Sequence, residues 1–203
     1  MTIEKHERWG DPGRLPDDGV LVRTDAEASD AMGAARRDRR DPPVLGLLGG
    51  DLARTCGATG DEARLRGDEA QTLPVDVGEA LVDGVLRHFV AHVVVRRPFW
   101  RGRVLAVMNA QYLGRWNVAP RSHPNDGRLD VLDADPPLGE RWKVRARLHT
   151  GTHLPHPDIS VRRVTGAQFD LDRGTRVWVD GRSVGAARAL SVRIEPDALH
   201  VVV

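Results

Sequence analysis

Apolar residues in the first third of the chain fall in short continuous runs separated by helix-like stretches. GVLVRTD (19–25) is an apolar run closed by a polar turn, which predicts a buried strand. DAEASDAMGAARRDRR (25–40) is Ala-rich with a charged end and predicts a helix. PPVLGLLGG (42–50) is a second apolar run, and DLARTCG after it reads as the start of another helix. Strand, helix, strand and helix in close succession make one βαβ-like unit.

Beyond this unit the pattern changes. Residues 57–72 are charged, carry Gly60 and Gly67, and read as a helix or a loop. From TLPVDVG (72–78) onward the chain becomes strand-like. GVLRHFVAHVVVRRP (84–98) alternates apolar and polar residues, RGRVLAVMNA (101–110) follows, and the two predict a hairpin turning near Phe99 to Gly102. GERWKVRARLHTG (139–151) fits a short helix or a strand. ISVRRVTG, QFDLDRG, TRVWVDG and ALSVRIEPDALHVVV are short strands divided by Gly turns, the signature of an antiparallel sandwich. The expected fold class is therefore α+β and mostly β: a two-layer antiparallel sandwich-like region over 73–203, preceded by a small α/β region over 20–72. Residues 1–19 lack an apolar period and read as a flexible or loosely packed arm. The last strand is free to return to the α/β region.

Composition narrows the function. A net charge of +1 offers no global field for nucleic acid, and aromatics are too few for base-stacking platforms. A single cysteine, Cys56, rules out an internal disulfide framework and suits a reducing compartment. No apolar run approaches the roughly 20 residues of a membrane span, and MTIEKHERWG has no apolar core of a secretory signal. The expectation is a cytoplasmic protein.

The stretch from Asn109 to Asp130 is richest in candidate chemistry. It turns through Gly114, crosses Pro120 and Pro124, and closes on Asn125-Asp126-Gly127 before RLDVLD. Gly127 supplies positive φ and Asp126 can bond its own backbone, so a plain turn explains the residues. A carboxylate among inward carbonyls can also hold a hard cation. HTGTHLPHPD carries His149, His153 and His156 at spacings of four and three, but Gly151, Pro155 and Pro157 oppose the helix that would gather them for zinc.

Asn109, Gly114, Pro120 and Asp126-Gly127-Arg128-Leu129-Asp130-Val131 together resemble the bacterial diacylglycerol and lipid kinases, with the sphingosine kinases, of the NAD kinase/diacylglycerol kinase-like superfamily. The resemblance runs on through Gly151 and His153 to VWVDGRSVG (177–185) and covers most of residues 44–203. It implies a β-rich C-terminal domain, a helix at 139–151, ATP-dependent phosphoryl transfer to a lipid, and a structural Mg²⁺. The implied metal ligands are Asp126 and the backbone carbonyls of His123 and Arg128.

The departures from the family carry equal weight. Where the family has G-G-D-G-T, this chain has Arg23-Thr24-Asp25-Ala26-Glu27. The family's second phosphate segment becomes Leu47-Leu48-Gly49-Gly50-Asp51-Leu52-Ala53-Arg54. Side chains obstruct the close backbone approach that a phosphate needs, and Glu27 adds negative charge. The family's elements upstream of this motif have no counterpart before Val20. Where the family places a general-base Glu, this chain has Arg182, which stays protonated. Asp180 is the remaining local carboxylate, a base or simply a turn former. The implied anion- or phosphate-binding set is Asp25, Gly49, Gly50, Asp51, Arg54 and Arg182. The expected function is a degenerate, non-catalytic lipid-kinase-like protein that binds a lipid, a nucleotide or a protein partner. The alternatives are an active ATP-dependent lipid or small-molecule kinase using Asp180 and, from a different class, a metal-dependent hydrolase using the histidines. A homodimer would cover apolar surface left by the missing half-domain.

Overall fold

The computed structural model describes residues 9–203. Its first segment is the expected βαβ unit: strand β2 (Val20–Val22), helix α1 (Asp25–Arg37) and strand β3 (Leu45–Leu47), with β2 and β3 parallel. Thr24 caps α1, its hydroxyl accepting the Glu27 amide. Helix α2 (Asp51–Cys56) follows β3 directly, and the charged stretch after it forms only a one-turn helix, α3 (Glu62–Leu65).

Two long strands carry the rest. β4 (Gln71–Val82) and β15 (Ala189–Val202) run antiparallel and are long enough to serve both halves of the molecule. At its C-terminal end β15 lies parallel to β3, pairing Val201 with Leu45. At its other end it pairs with β12 (Gly166–Asp170), while β4 pairs with β5 (Val85–Phe89). A second sheet packs against this end in the order β11-β10-β7-β6-β13-β14. Its strands are β6 (His92–Arg96), β7 (Val104–Met108), β10 (Leu129–Ala134), β11 (Ile159–Val164), β13 (Arg176–Val179) and β14 (Arg182–Ala186). Inward residues of both sheets, among them Val93, Val95, Leu105, Val107, Val131 and Val192, form one dry core. The fold is the α+β, mostly β sandwich expected. Residues 138–147 form helix α4 (Leu138–Arg147) on the outer face of the second sheet.

Two expectations are corrected. The apolar run 84–98 is two strands, because the chain leaves the first sheet after Phe89 and enters the second at His92. Only Phe89 of the first strand is buried while the second is buried along most of its length, and the nearly continuous apolar run across 89–95 hides the junction. The part of the expected arm within the described residues, 9–19, is packed. Strand β1 (Asp11–Pro12) pairs with the edge of β4, Trp9 donates its indole N–H to the Pro74 carbonyl, and Leu15 is buried against Leu65, Ala70 and Val202. Two anchors spaced six residues apart leave no periodic signal. Residues 1–8 of that arm lie outside the described residues.

Gly78 on β4 sits under the ring of Phe89, its cross-strand partner on β5, where a Cβ would meet the ring at 2.1 Å. Gly78→Ala is therefore expected to cost about 1–3 kcal/mol by overpacking. Adding Phe89→Leu should recover part of the loss, as read by thermal or urea unfolding of the two variants.

Candidate functional site

The chain crosses between sheets at Val90, Ala91 and His92, and there its amides have no ladder partners. Asp180 supplies them. Its Oδ2 accepts the Val90 amide at 2.8 Å, and its Oδ1 accepts those of Ala91 and His92 at 3.0 and 2.9 Å. Asp180 and Gly181 have φ of 46° and 80°, forming a two-residue loop that joins β13 to β14. Burial pushes the Asp180 carboxyl up to about 6 against the pull of His92 and the backbone amides.

His92 stands on the outer face of β6, buried, and its Nε2 lies 2.9 Å from Asp51 Oδ2. Asp51 also accepts the Gly114 amide at 2.8 and 3.0 Å. Burial opposes ionisation of Asp51, but His92 and the Gly114 amide outweigh it and hold the carboxyl below its usual range. Burial likewise opposes the imidazolium of His92, and the bond to Asp51, with Asp180 and Asp25 nearby, pushes its pKa up. Asp25, buried behind this pair, accepts the Asp51 and Leu52 amides at 2.7 and 2.9 Å. Asp25, Asp51 and His92 bring ligand atoms within 4.8 Å of one another. Every carboxylate oxygen here already accepts an amide or the imidazole, so the geometry is that of a hydrogen-bonded cluster.

The sequence-derived phosphate set is only partly gathered. Gly49 and Gly50 lie against Arg23 and Asp25: a Cβ on either would meet the Arg23 carbonyl or the Asp25 carboxylate at 2.6 Å. These glycines therefore serve the backbone's approach to the chain's own groups. Arg54 donates to the Gly114 carbonyl at 2.9 Å and lies over the Tyr112 ring. It clamps the small hairpin of β8 (Tyr112–Leu113) and β9 (Trp116–Asn117) onto α2. Arg182 pairs with Asp30 on α1 at an exposed edge.

The Asp-Gly turn forms as expected, with Gly127 at φ 65° and Asp126 Oδ1 accepting the Arg128 amide at 3.0 Å. Asp126 Oδ2 is bonded by the Arg163 guanidinium, whose Nε also lies 3.6 Å from Asp130. A Mg²⁺ held by Asp126 with the His123 and Arg128 carbonyls would have to displace that guanidinium. One carboxylate already serving two donors is a poor fit for a cation that demands octahedral oxygen ligands. His149, His153 and His156 form no common ligand set among the described residues. His153 is buried, while the His156 ring accepts the Asp158 amide.

Asp76 and His92 escaped the sequence reading, and Asn109 was read only as part of the motif, without its partners. Asp76 accepts the Gly127 amide at 2.7 Å and the Asp197 amide at 2.9 Å, holding the turn against β15. Asn109 bridges the Asp76 and Val90 carbonyls. The only signal of His92 was a single polar residue inside FVAHVVV.

An apolar pocket of about 390 Å³ opens on the outer face of the second sheet, beneath α4. Val94, two residues from His92 on the same face of β6, lines it. So do Leu113 and Trp116, which flank the Gly114 loop bonded to Asp51. The pocket and the acidic cluster are thus neighbours, joined through one strand and one hairpin.

Two outcomes follow from the charges. The raised pKa of His92 gives stability that is present below its ordinary value of 6.5 and lost as pH rises through the folded value. The lowered pKa of Asp51 gives stability present above 3.8 and lost on acidification. His92→Gln is expected to cost about 2 kcal/mol near pH 6, and to remove the part of the decline above pH ~6.5 that this residue causes. Melting curves across pH 5–9 read both effects. At the turn, Asp126→Ala and Arg163→Ala should each cost up to ~1 kcal/mol and be non-additive in a double-mutant cycle. Mg²⁺ or a chelator should leave the melting temperature of the unmodified protein unchanged.

The comparisons with known proteins concern the fold and the family. No curated protein sequence matches the chain. Among solved structures, a proposed diacylglycerol kinase from Bacillus anthracis str. Sterne aligns with a TM-score of 0.59 at 16% identity, covering 90% of this chain and 75% of that one. A second structure, of a diacylglycerol kinase from the same strain, aligns with a TM-score of 0.53 at 16% identity over 79% of this chain and 66% of that one. At these identities the likeness is one of fold. The family model of the YegS C-terminal NAD kinase beta sandwich-like domain matches residues 76–203, the span holding the crossover, the Asp-Gly turn, the pocket and the Asp180 hairpin. The chain belongs to that family.

Proposed function

We propose that this chain is a lipid-kinase-like protein that binds a lipid without phosphorylating it. One observation carries the reading. The amides where a nucleotide phosphate would have to sit are already bonded to the chain's own carboxylates. Glu27 accepts the Arg23 amide at 2.7 Å at the start of α1, and Asp25 accepts the first amides of α2. A phosphate arriving there meets two carboxylates that already hold the Arg23, Asp51 and Leu52 amides, where an anion site at a helix N-terminus offers open amides and no opposing charge. Arg182 in place of a proton-accepting residue points the same way. The apolar pocket supplies the lipid side of the proposal, with a lining that is mostly aliphatic and aromatic.

A second reading, ATP-dependent transfer to the pocket's ligand, is favoured by the His92–Asp51 pair. An imidazole bonded to a carboxylate is a competent proton acceptor, and His92 adjoins the pocket wall. Asp180 serves this reading poorly, because it is buried and already holds three amides.

Calorimetric titration with Mg-ATP separates the two. The proposal expects no saturable binding below the millimolar range and no transfer of labelled phosphate to diacylglycerol, sphingoid or polyprenol acceptors. A micromolar dissociation constant, or transfer lost in His92→Gln, would establish the kinase reading instead.

A further inference from the structure

Two arginines on the outer face of the second sheet have no acid to meet. Val93 and Val95 of β6 and Val177 and Val179 of β13 point into the core. Arg96, Arg176 and Trp178 alternate with them and therefore point out. The strand register sets Arg176 directly opposite Arg96. Facing positions on neighbouring antiparallel strands hold their Cβ atoms about 4.5–5.5 Å apart, and like charges placed there repel. Other arginines around this face are matched: Arg97 with Asp172, Arg103 with Asp133 and Arg141 with Asp135. Among the described residues, no carboxylate pairs with Arg96 or Arg176.

Arg96 is also held in place. Its guanidinium carbon lies 4.5 Å from the centre of the Trp100 ring and 4.0 Å from that of Trp178, so two indoles flank it. Trp100 reaches it from a turn in which Phe99 and Trp100 hold φ of 55° and 57°, a region that bulky residues rarely adopt. Its hydrogen bond to the chain is a long one, from Nη1 to the Arg97 carbonyl at 3.4 Å. Burial, with no carboxylate to offset it, lowers its pKa. An oriented and partly desolvated cation without a counter-charge costs stability, and a second cation opposite adds to the cost. An anion between the two removes both penalties.

Charge sets the class of that anion. One carboxylate fits the fork of one guanidinium and leaves the other arginine unmatched. A phosphate monoester carries about −1.5 to −2 at neutral pH on three terminal oxygens, enough for two guanidiniums. The planar fork of Arg96, already stacked on indole, loses little further freedom on binding.

We propose that Arg96 and Arg176, with Trp100 and Trp178 fixing the first of them, form a binding site for a phosphate monoester group. Such a group comes on a soluble small molecule or as a lipid headgroup, and its chemistry at the two guanidiniums is the same. The inference is independent of the lipid reading, since neither arginine lines the apolar pocket.

The full chain is titrated by calorimetry with glycerol 3-phosphate and with succinate at constant ionic strength. In a second arm it is mixed with phosphatidylcholine vesicles with and without phosphatidic acid. Saturable sub-millimolar binding of the soluble ester is expected, with succinate at least tenfold weaker. Arg176→Gln should weaken the ester about tenfold. Arg96→Lys should do nearly the same, because it keeps the charge and loses the fork. Without ligand, Arg176→Gln should melt about 1–3 °C higher than the unmodified protein, since it relieves the repulsion, and this also shows that the variant folds. Binding of the soluble ester assigns the site to a small molecule. Retention only on vesicles with phosphatidic acid, lost in both variants, assigns it to a headgroup. No binding in either arm, or binding unchanged in both variants, overturns the proposal, and succinate binding as tightly as the ester overturns the choice of phosphate.

Discussion

Where the chain passes from one sheet to the other at Val90–His92, three successive amides must find acceptors outside any ladder, and a buried unpaired amide costs as much as a lost hydrogen bond. Asp180 answers all three from the end of β13, the strand beside β6. The Asp180-Gly181 turn that connects β13 to β14 therefore also locks the crossover. Because the crossover sets which way His92 points, the register of the sandwich and the position of the polar cluster depend on this one carboxylate. Asp76 plays a similar part beside the crossover, where β4 and β15 shift register and its carboxylate receives amides from Gly127 and Asp197.

From His92 the network runs to Asp51, then to the Gly114 amide, and so to the hairpin that walls the pocket. Arg54 and Thr55 bind the same segment from α2, at Gly114 and Gln111. The α/β unit is thereby fastened to the outer face of the sandwich through a few charge-assisted bonds. Beside this junction, Asp25 holds the Asp51 and Leu52 amides and Glu27 holds the Arg23 amide.

The Asp-Gly turn shows how the backbone of a motif and the partner of its carboxylate are set by different parts of the chain. Residues 125–131 keep the order expected of a cation-binding loop, and the backbone adopts the turn those residues specify. Arg163 arrives from β11, three dozen residues later, and puts a guanidinium on Asp126. Local sequence carries the turn; it carries no information about which cation faces it.

Local rules were enough for much of this protein. The βαβ unit, the helix caps, the Gly-bearing turns and the sandwich class follow from hydrophobic period and turn chemistry, which act over a few residues. The resemblance added α4 and the family. Among site residues, Asp25, Asp51, Asp126 and Asp180 were named from sequence, but their partners were not. The pairing of His92 with Asp51 spans 41 residues, and that of Asp180 with Val90 spans 90. The split of 84–98 between two sheets, the docking of Leu15, and the gathering of Val94, Trp116 and α4 around one apolar cavity were also decided by packing at long range. Periodicity records which face of an element is covered. Only the tertiary structure says what covers it, because the covering groups come from distant parts of the chain and meet once the sheets have closed.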